Sequence, residues 1–316
     1  MNVSLFNDIQ HIEKPVVTIG TFDGVHLGHR FILDHLVKRA NDLKGESVVV
    51  TLWPHPRIVL NKDVWNFKLL HTLNEKIEQL SLAGIDHLVR IPFNANLASL
   101  SARQFLQHYL PDKLKIHTLL LGYDNRFGKD RQGDPEGLAR CAEENRFNIE
   151  KLPEFDSKIG RINSTKIRKN LLEGNLKLAR EMLGYDYYLT GTIVSGKRLG
   201  RDMGFPTANI QPADPYKLIP LDGVYAVFVE VNGIRYQGML NIGFRPTIDS
   251  ASPVKTIEVH ILNFEGNLYE KTVRIDFIER VRDEMRFNNV DDLIHQLHND
   301  KRQIIAILNN VKNNKL

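Results

Sequence analysis

Cysteine is almost absent from this chain: one residue, Cys141, in 316. A single thiol closes no intramolecular disulfide and supplies no thiolate cluster for structural zinc, which fits a reducing compartment. Cys141 falls in Gly137-Leu-Ala-Arg-Cys-Ala-Glu-Glu144, a helical stretch, and reads there as a packing residue rather than a nucleophile. Long apolar runs are missing too. No window reaches the length of a membrane span, and the first residues carry neither a basic n-region nor an apolar h-region. The expectation is a cytoplasmic protein without a membrane partner. Charge of either sign is nearly balanced, 42 Lys and Arg against 38 Asp and Glu for a net +4. With no Lys- or Arg-rich run and no interleaved aromatics, that excess fits anionic small molecules, and no nucleic-acid partner is expected. What remains is an ordinary globular composition, 42% hydrophobic and 25% charged, in a chain long enough for two domains.

The most informative stretch is Gly20-Thr-Phe-Asp-Gly-Val-His-Leu-Gly-His29. It follows the apolar run 16–19 and leads into Arg30-Phe-Ile-Leu-Asp-His-Leu-Val37, a pattern of strand, glycine-rich turn and helix. Such a turn offers an anion unpaired backbone N–H groups and the positive end of a helix dipole. Gly20, Gly24 and Gly28 let the backbone approach a ligand closely. His26 and His29 are three apart, so they are expected on one helix face, where two imidazoles donate to phosphate oxygens as charge builds. Alone, the glycines fit a bare tight turn, and the histidines fit half of a zinc site. The spacing matches neither the dinucleotide fingerprint nor the P-loop. It resembles the H-x-G-H signature of the nucleotidyltransferase superfamily at Gly20, Phe22, Asp23, His26, Gly28 and His29. That resemblance implies ATP as donor of a nucleoside monophosphate, with pyrophosphate leaving.

From residue 16 to about 152, strand and helix patterns alternate. Residues 47–52, 87–91 and 117–121 are apolar runs suited to buried parallel strands, while Thr72-Leu-Asn-Glu75 and Ser101-Ala-Arg-Gln104 are capping boxes. This predicts an α/β fold with a parallel sheet covered by helices on both faces. Carboxyl ends of strands carry Trp53-Pro-His-Pro-Arg57 and the polar, glycine-rich stretch 122–133, so three segments converge on one crevice. Next, Ile162-Asn-Ser-Thr-Lys-Ile-Arg168 opens a helix capped by Asn163 or Ser164. Thr165, Lys166 and Arg168 there suit either a triphosphate or solvent.

Around Gly184-Tyr-Asp-Tyr-Tyr188 the pattern turns to short strands. Residues 224–231, the pair Asn232-Gly233 and residues 234–240 make a two-residue hairpin signal, and 256–263 and 268–278 flank another turn. The prediction is an all-β module, a small closed barrel, followed by a helix from about Asn289. That helix has Asp291 and Asp292 in its first turn and Leu293, Leu297, Ile304 and Leu308 on its apolar side. The module opens with a glycine- and cation-rich loop, 196–209. Its N–H groups and charge suit phosphates, and Thr207 and Asn209 are neutral oxygen ligands of the kind Mg2+ accepts. A basic turn leading into a strand accounts for the same residues. In 256–262, alternation sets Glu258 and His260 opposite Ile257 and Val259, so Glu258 faces either water or a cavity. Lining a cavity, its carboxylate accepts a proton from an attacking hydroxyl.

Together these motifs resemble the bacterial bifunctional riboflavin kinase/FAD synthetase family, from residue 16 to about 300. In the first half the resemblance rests on 20–29, Pro54-His-Pro56, Gly122-Tyr-Asp124 with Arg126-Phe-Gly128, and Ser164-Thr-Lys-Ile-Arg168. In the second it rests on Gly200-Arg201, Gly204-Phe-Pro-Thr-Ala-Asn209, Gly223-Val-Tyr-Ala226, Asn241-Ile-Gly243 with Arg245-Pro-Thr247, Glu258-Val-His260, and Arg282-Asp-Glu284 with Arg286-Phe287. It implies a Rossmann-like FMN adenylyltransferase domain at 1–184 and a riboflavin kinase barrel with its terminal helix at 185–316. The implied substrates are riboflavin, FMN and ATP, with Mg2+. Glu258 would be the kinase base, Thr207 and Asn209 would hold Mg2+ and ATP, and His26 and His29 would stabilise adenylyl transfer. ATP would also be held by Gly20, Phe22, Asp23, Gly24, Gly28, Ser164, Thr165, Arg168, Gly200 and Arg201, and flavin by Asp124, Arg126, Arg282 and Glu284. Four departures stand out: Asn163 and Lys166 where serine and arginine are frequent, Asn125 where an aromatic is common, and Glu270 where glycine is usual. Rival readings are a nucleotidyltransferase for another phosphorylated acceptor with a non-catalytic binding barrel, and a nucleic-acid-binding barrel fused to a degenerate nucleotide sensor. Oligomeric state is not encoded in these patterns.

Overall fold

The computed structural model describes residues 1–60, 67–101, 104–105, 109, 114–123, 135–195, 203–245 and 254–313. The chain packs as two compact units, Met1–Leu69 with Leu73–Asn163, and Leu70–Thr72 with Ser164–Leu316.

The first unit is built on six strands: β1 (Asn2–Leu5), β2 (Val16–Ile19), β3 (Ser47–Trp53), β4 (His87–Pro92), β5 (Thr118–Leu121) and β6 (Asn148–Lys151). All neighbours pair in parallel, in the order β1-β4-β3-β2-β5-β6. Helices α1 (Leu27–Asp42), α2 (Pro56–Val59), α3 (Leu73–Leu82), α4 (Ala95–Ser99) and α5 (Pro135–Glu144) lie between them. Successive residues of β3 enter different apolar clusters, Val48 and Val50 in one and Val49 in the other. A strand buried on both faces needs a helix layer on each side, as the unbroken apolar runs predict. α1 brings Leu33, Leu36 and Ala40 to one layer, and α5 brings Cys141 and Ala142 to the other. Cys141 is therefore a core residue, as its helical context predicts. The Ser101–Gln104 capping box is formed, with Ser101 N–H donating to Gln104 Oε1 at 2.9 Å and Gln104 N–H to Ser101 Oγ at 3.2 Å. From β2 the sheet grows through β3, β4 and β1 one way and through β5 and β6 the other. That reversal is the topological switch point, where open α/β sheets bind ligands.

The second unit begins with α6 (Ser164–Leu172) and α7 (Leu176–Leu183). Six strands follow: β7 (Tyr188–Val194), β8 (Ala208–Pro212), β9 (Gly223–Val231), β10 (Ile234–Arg245), β11 (Val254–Ile261) and β12 (Thr272–Arg282). They close an antiparallel barrel in the order β10-β11-β8-β7-β12-β9. The predicted Asn232-Gly233 hairpin is present, with Val231 paired to Ile234 and positive φ of 51° and 78° at the two turn residues. The final helix, α8 (Val290–Asn313), starts where Asn289 Oδ1 accepts the Asp292 N–H at 2.8 Å. Its Ile304 and Leu308 join Phe205, Val224, Ala226, Phe228, Met239 and Ile278 in one apolar cluster. Glu270, in the β11–β12 connection, takes φ 63°, the region that favours glycine.

Candidate active sites

The turn after β2 leaves the sheet beside β3, with Gly20 N–H donating to Val50 O at 3.0 Å. Phe22, Gly24 and Val25 take positive φ of 43°, 89° and 31°. Gly24 adopts that region freely, whereas an aromatic and a β-branched residue there are strained, and such strain gathers at ligand sites. Phe22 and Val25 are held in place by burial. The strained turn also shifts the start of α1. His26 does not lie within the helix, as the spacing predicts, but is its N-cap, and its Nδ1 accepts the His29 N–H at 3.3 Å. The two rings still meet, stacked with centroids 3.7 Å apart and planes 13° from parallel. An Nδ1 that accepts carries no proton, so in this arrangement the His26 ring proton sits on Nε2, which is the ring's donor atom. Phe22 packs against His29 at 5.1 Å, and Asp23 and His26 are buried.

Two further groups adjoin the turn. Arg30 Nη2 donates to Gln79 Oε1 of α3 at 2.9 Å. One turn earlier in α3, Lys76 is 1% exposed, with Nζ 4.9 Å from the centre of the Trp53 ring at the end of β3. Among the described residues Lys76 Nζ has no hydrogen-bond partner. Burial pushes its pKa down to about 8, against the upward pull of the Asp23 charge. Beyond Trp53, His55 Nδ1 accepts the Arg57 N–H at 3.2 Å and caps α2. Asp124, Asn125 and Arg126 lie outside the described residues, as do Gly200 and Arg201. Ser164, Thr165 and Arg168 occupy the start of α6, in the second unit.

In the barrel, register assembles the second residue set. Glu258 of β11 lies directly across from Asn241 of β10 on one side and Asn209 of β8 on the other. Paired residues point to one face, so the three side chains make a polar row across three strands. Met239, two residues from Asn241 and on the same face, packs with α8, so the row lies on the α8 side of the wall. Thr207 Oγ1 donates to Glu258 Oε2 at 3.3 Å, and Asn241 Nδ2 donates to Glu284 Oε1 at 3.3 Å. Glu284 rests on bare backbone, because a Cβ on Gly243 would overlap its carboxylate. Arg282 turns elsewhere. Its Nε and Nη2 grip the Asp300 carboxylate of α8 at 3.0 and 2.7 Å, and Nη1 donates to Asp283 O at 2.8 Å. Sequence reasoning passed over Asn241 and Lys76 as site residues. An asparagine inside an apolar strand is a weak signal for the first, whereas Lys76 reads locally as a solvated helix residue.

A separate cavity of about 480 Å3 holds none of these residues. Its walls include Arg180, Asp186, Arg235, Arg274 and Asp276, whose charges already pair with each other: Arg235–Asp276 at 2.9 Å, Arg274–Asp276 at 2.8 Å, and Arg180–Asp186.

A stacked histidine pair at the switch point of a parallel sheet, joined to a barrel with a polar row centred on one carboxylate beside its last helix, defines a two-domain nucleotide-dependent transferase. The family model for FAD synthetase matches residues 8–166, and that for riboflavin kinase matches residues 183–308. A bifunctional riboflavin kinase/FMN adenylyltransferase of Bacillus subtilis is 36% identical over 307 residues, covering 95% of this chain and 94% of the relative. That of Escherichia coli K12 is 35% identical, covering 92% and 91%. A crystal structure from Streptococcus pneumoniae, described as a macrolide-efflux protein, matches with a TM-score of 0.85 at 30% identity, over 96% of this chain and 98% of that one. Among the described residues here, no helix is long and apolar enough to cross a membrane. The chain belongs to the bifunctional riboflavin kinase/FMN adenylyltransferase family.

Proposed function

We propose that the two reactions of this family run on the two residue sets above. The enzyme phosphorylates riboflavin to FMN and then adenylylates FMN to FAD with release of pyrophosphate. The observation that carries the kinase assignment is the polar row centred on Glu258, with the Thr207 hydroxyl at 3.3 Å. Glu258 takes the proton of the ribityl 5′-hydroxyl as that oxygen attacks the γ-phosphorus of ATP, whose bond to the β,γ-bridging oxygen breaks so that ADP leaves. A hydroxyl and a carboxamide oxygen beside a carboxylate are hard donors, which suits Mg2+, an ion that keeps few protein ligands. Thr207 and Asn209 would hold it, and when bound it neutralises charge on the phosphates. Glu284, steadied by Asn241, faces the flavin, and Arg282 fixes the end of β12 that carries Glu284.

In the first unit, FMN phosphate attacks the α-phosphorus of a second ATP. Nε2–H of His26 and the stacked His29 stabilise the developing charge, while Gly20, Phe22, Asp23, Gly24 and Gly28 shape the nucleotide turn. Ser164, Thr165 and Arg168, at the N-terminus of α6 in the second unit, are the phosphate contacts that the family resemblance implies. Asp124 and Arg126 would add flavin contacts, and Gly200 and Arg201 ATP contacts. The chemical division falls between Gly184 and Tyr185, and the protein works in the cytoplasm on riboflavin, FMN and ATP.

Chromatography of the purified chain with riboflavin, ATP and Mg2+ tests this reading. Wild type is expected to yield FMN and FAD. Glu258→Ala is expected to make no FMN yet convert supplied FMN to FAD, and His29→Ala to accumulate FMN. Full FMN production by folded Glu258→Ala would remove Glu258 as the base.

A further inference from the structure

His260 stands two residues beyond Glu258 on β11, on the same face of the strand. Its Nδ1 lies 2.9 Å from the carbonyl oxygen of Pro206, the residue immediately before Thr207. A carbonyl only accepts, so Nδ1 carries the proton and donates. The ring is 7% exposed, and that burial, with the nearby Lys301 charge, lowers its pKa against the opposing Pro206 bond. It is therefore a neutral, single-tautomer donor around neutral pH.

The segment it touches is pinned at three successive residues. Phe205 is buried, edge-on to His260 at 5.4 Å and to His298 at 5.1 Å. Pro206 has no N–H, so its carbonyl is the one backbone group it offers to a hydrogen bond, and His260 takes it. Thr207 then places Oγ1 3.3 Å from Glu258 Oε2. One strand thus holds the segment at two points, through His260 on the carbonyl before Thr207 and through Glu258 on its hydroxyl.

We propose that His260 is a positioning residue for phosphoryl transfer: by holding the Pro206 carbonyl it sets the Thr207 hydroxyl beside Glu258. This rests on the reading of Glu258 as base and Thr207 as a metal and ATP contact, and deepens it. A shift of the segment moves Thr207 without touching Glu258, so the loss appears in turnover and Mg2+ demand rather than in riboflavin affinity. Misplacement on the ångström scale costs on the order of ten- to a hundredfold in rate.

The test uses the full-length chain and three substitutions. His260→Asn keeps an amide N–H near the position of Nδ1, His260→Gln moves it outward, and His260→Phe keeps the ring volume without a donor. Riboflavin kinase kcat, KM for riboflavin and the Mg2+ concentration for half activity are measured, with FMN-to-FAD conversion in the same preparations. His260→Phe and His260→Gln are expected to lose about tenfold or more in kcat and to need more Mg2+, with riboflavin KM nearly unchanged and FAD formation intact. His260→Asn is expected to recover most of the loss. Unchanged kcat in His260→Gln, or equal damage in His260→Asn and His260→Gln, overturns the proposal, whether or not His260→Phe folds. Glu258→Ala run in parallel separates the two readings. If it stays active, the base assignment has failed; if it is dead while His260→Gln is normal, only the positioning role has failed.

Discussion

Lys76 is a residue whose protonation the fold opposes. Its pKa is about 8 in the folded chain against an ordinary 10.5. Between those values the unfolded chain keeps a proton that the folded one has lost, so stability from this group rises with pH across that window. Below about pH 8 both states are protonated and the buried ammonium costs the fold on the order of 3 kcal/mol, from 1.36 kcal/mol per unit. Lys76→Met is therefore expected to resist urea better than wild type at pH 7, by up to about that amount. The gain should shrink from pH 8 upward and vanish near 10.5, the ordinary value. Denaturation followed by tryptophan fluorescence at three pH values measures it, and a gain independent of pH would assign the effect to packing alone. Glu270 makes a different point at the same scale. The family resemblance leads one to expect glycine at this position, and the φ of 63° at Glu270 is a backbone conformation that favours glycine.

At the scale of elements, α8 is fastened to the barrel by one buried ion pair as well as by its apolar face. Asp300 is 1% exposed and receives Arg282 through Nε and Nη2, with Gln296 Nε2 adding a bond at 2.8 Å. Removing one partner strands the other charge, at a cost of about 3–5 kcal/mol. Asp300→Ala is expected to lower the melting temperature and to abolish hydrogen-exchange protection in α8, while FMN-to-FAD conversion survives at moderate temperature. Retained protection would show that Ile304 and Leu308 suffice. The elements legible in the sequence were those buried on both faces or closed by strong turn chemistry: β2, β3, β4 and β5, the Asn232-Gly233 hairpin, and the capped helices. β1 was not legible, because a four-residue edge strand with exposed residues has neither an apolar run nor a clean alternation. At the sites, His26, His29 and Glu258 stood out as unusual residues in their local patterns. The N-cap role of His26 did not, because helical periodicity says nothing of the strained turn before it. Nor did the alignment of Asn241 and Asn209 with Glu258, which depends on a barrel register that no single strand encodes.

Over the whole molecule, α6 and α7 fall almost wholly between the two family matches but pack with the second unit. α6 and α7 bury Ile167, Leu171, Leu176, Ala179, Met182 and Leu183 and belong to the second unit, yet the riboflavin kinase match begins only at residue 183. Burying one such aliphatic side chain contributes about 1.5–3 kcal/mol, so the pair of helices rivals the net stability of a domain. A fragment of residues 164–316 is expected to melt cooperatively, and one of residues 185–316 to melt far lower or aggregate. Equal melting temperatures would make α6 and α7 appendages. The chain's one thiol bears on the other unit. Cys141 is 1% exposed in the core of the sheet-containing unit, and the barrel unit contains no cysteine. A thiol-specific reagent can reach it only when that unit opens, so the labelling rate is a clock for one half of the protein, running without an introduced probe and deaf to the other half.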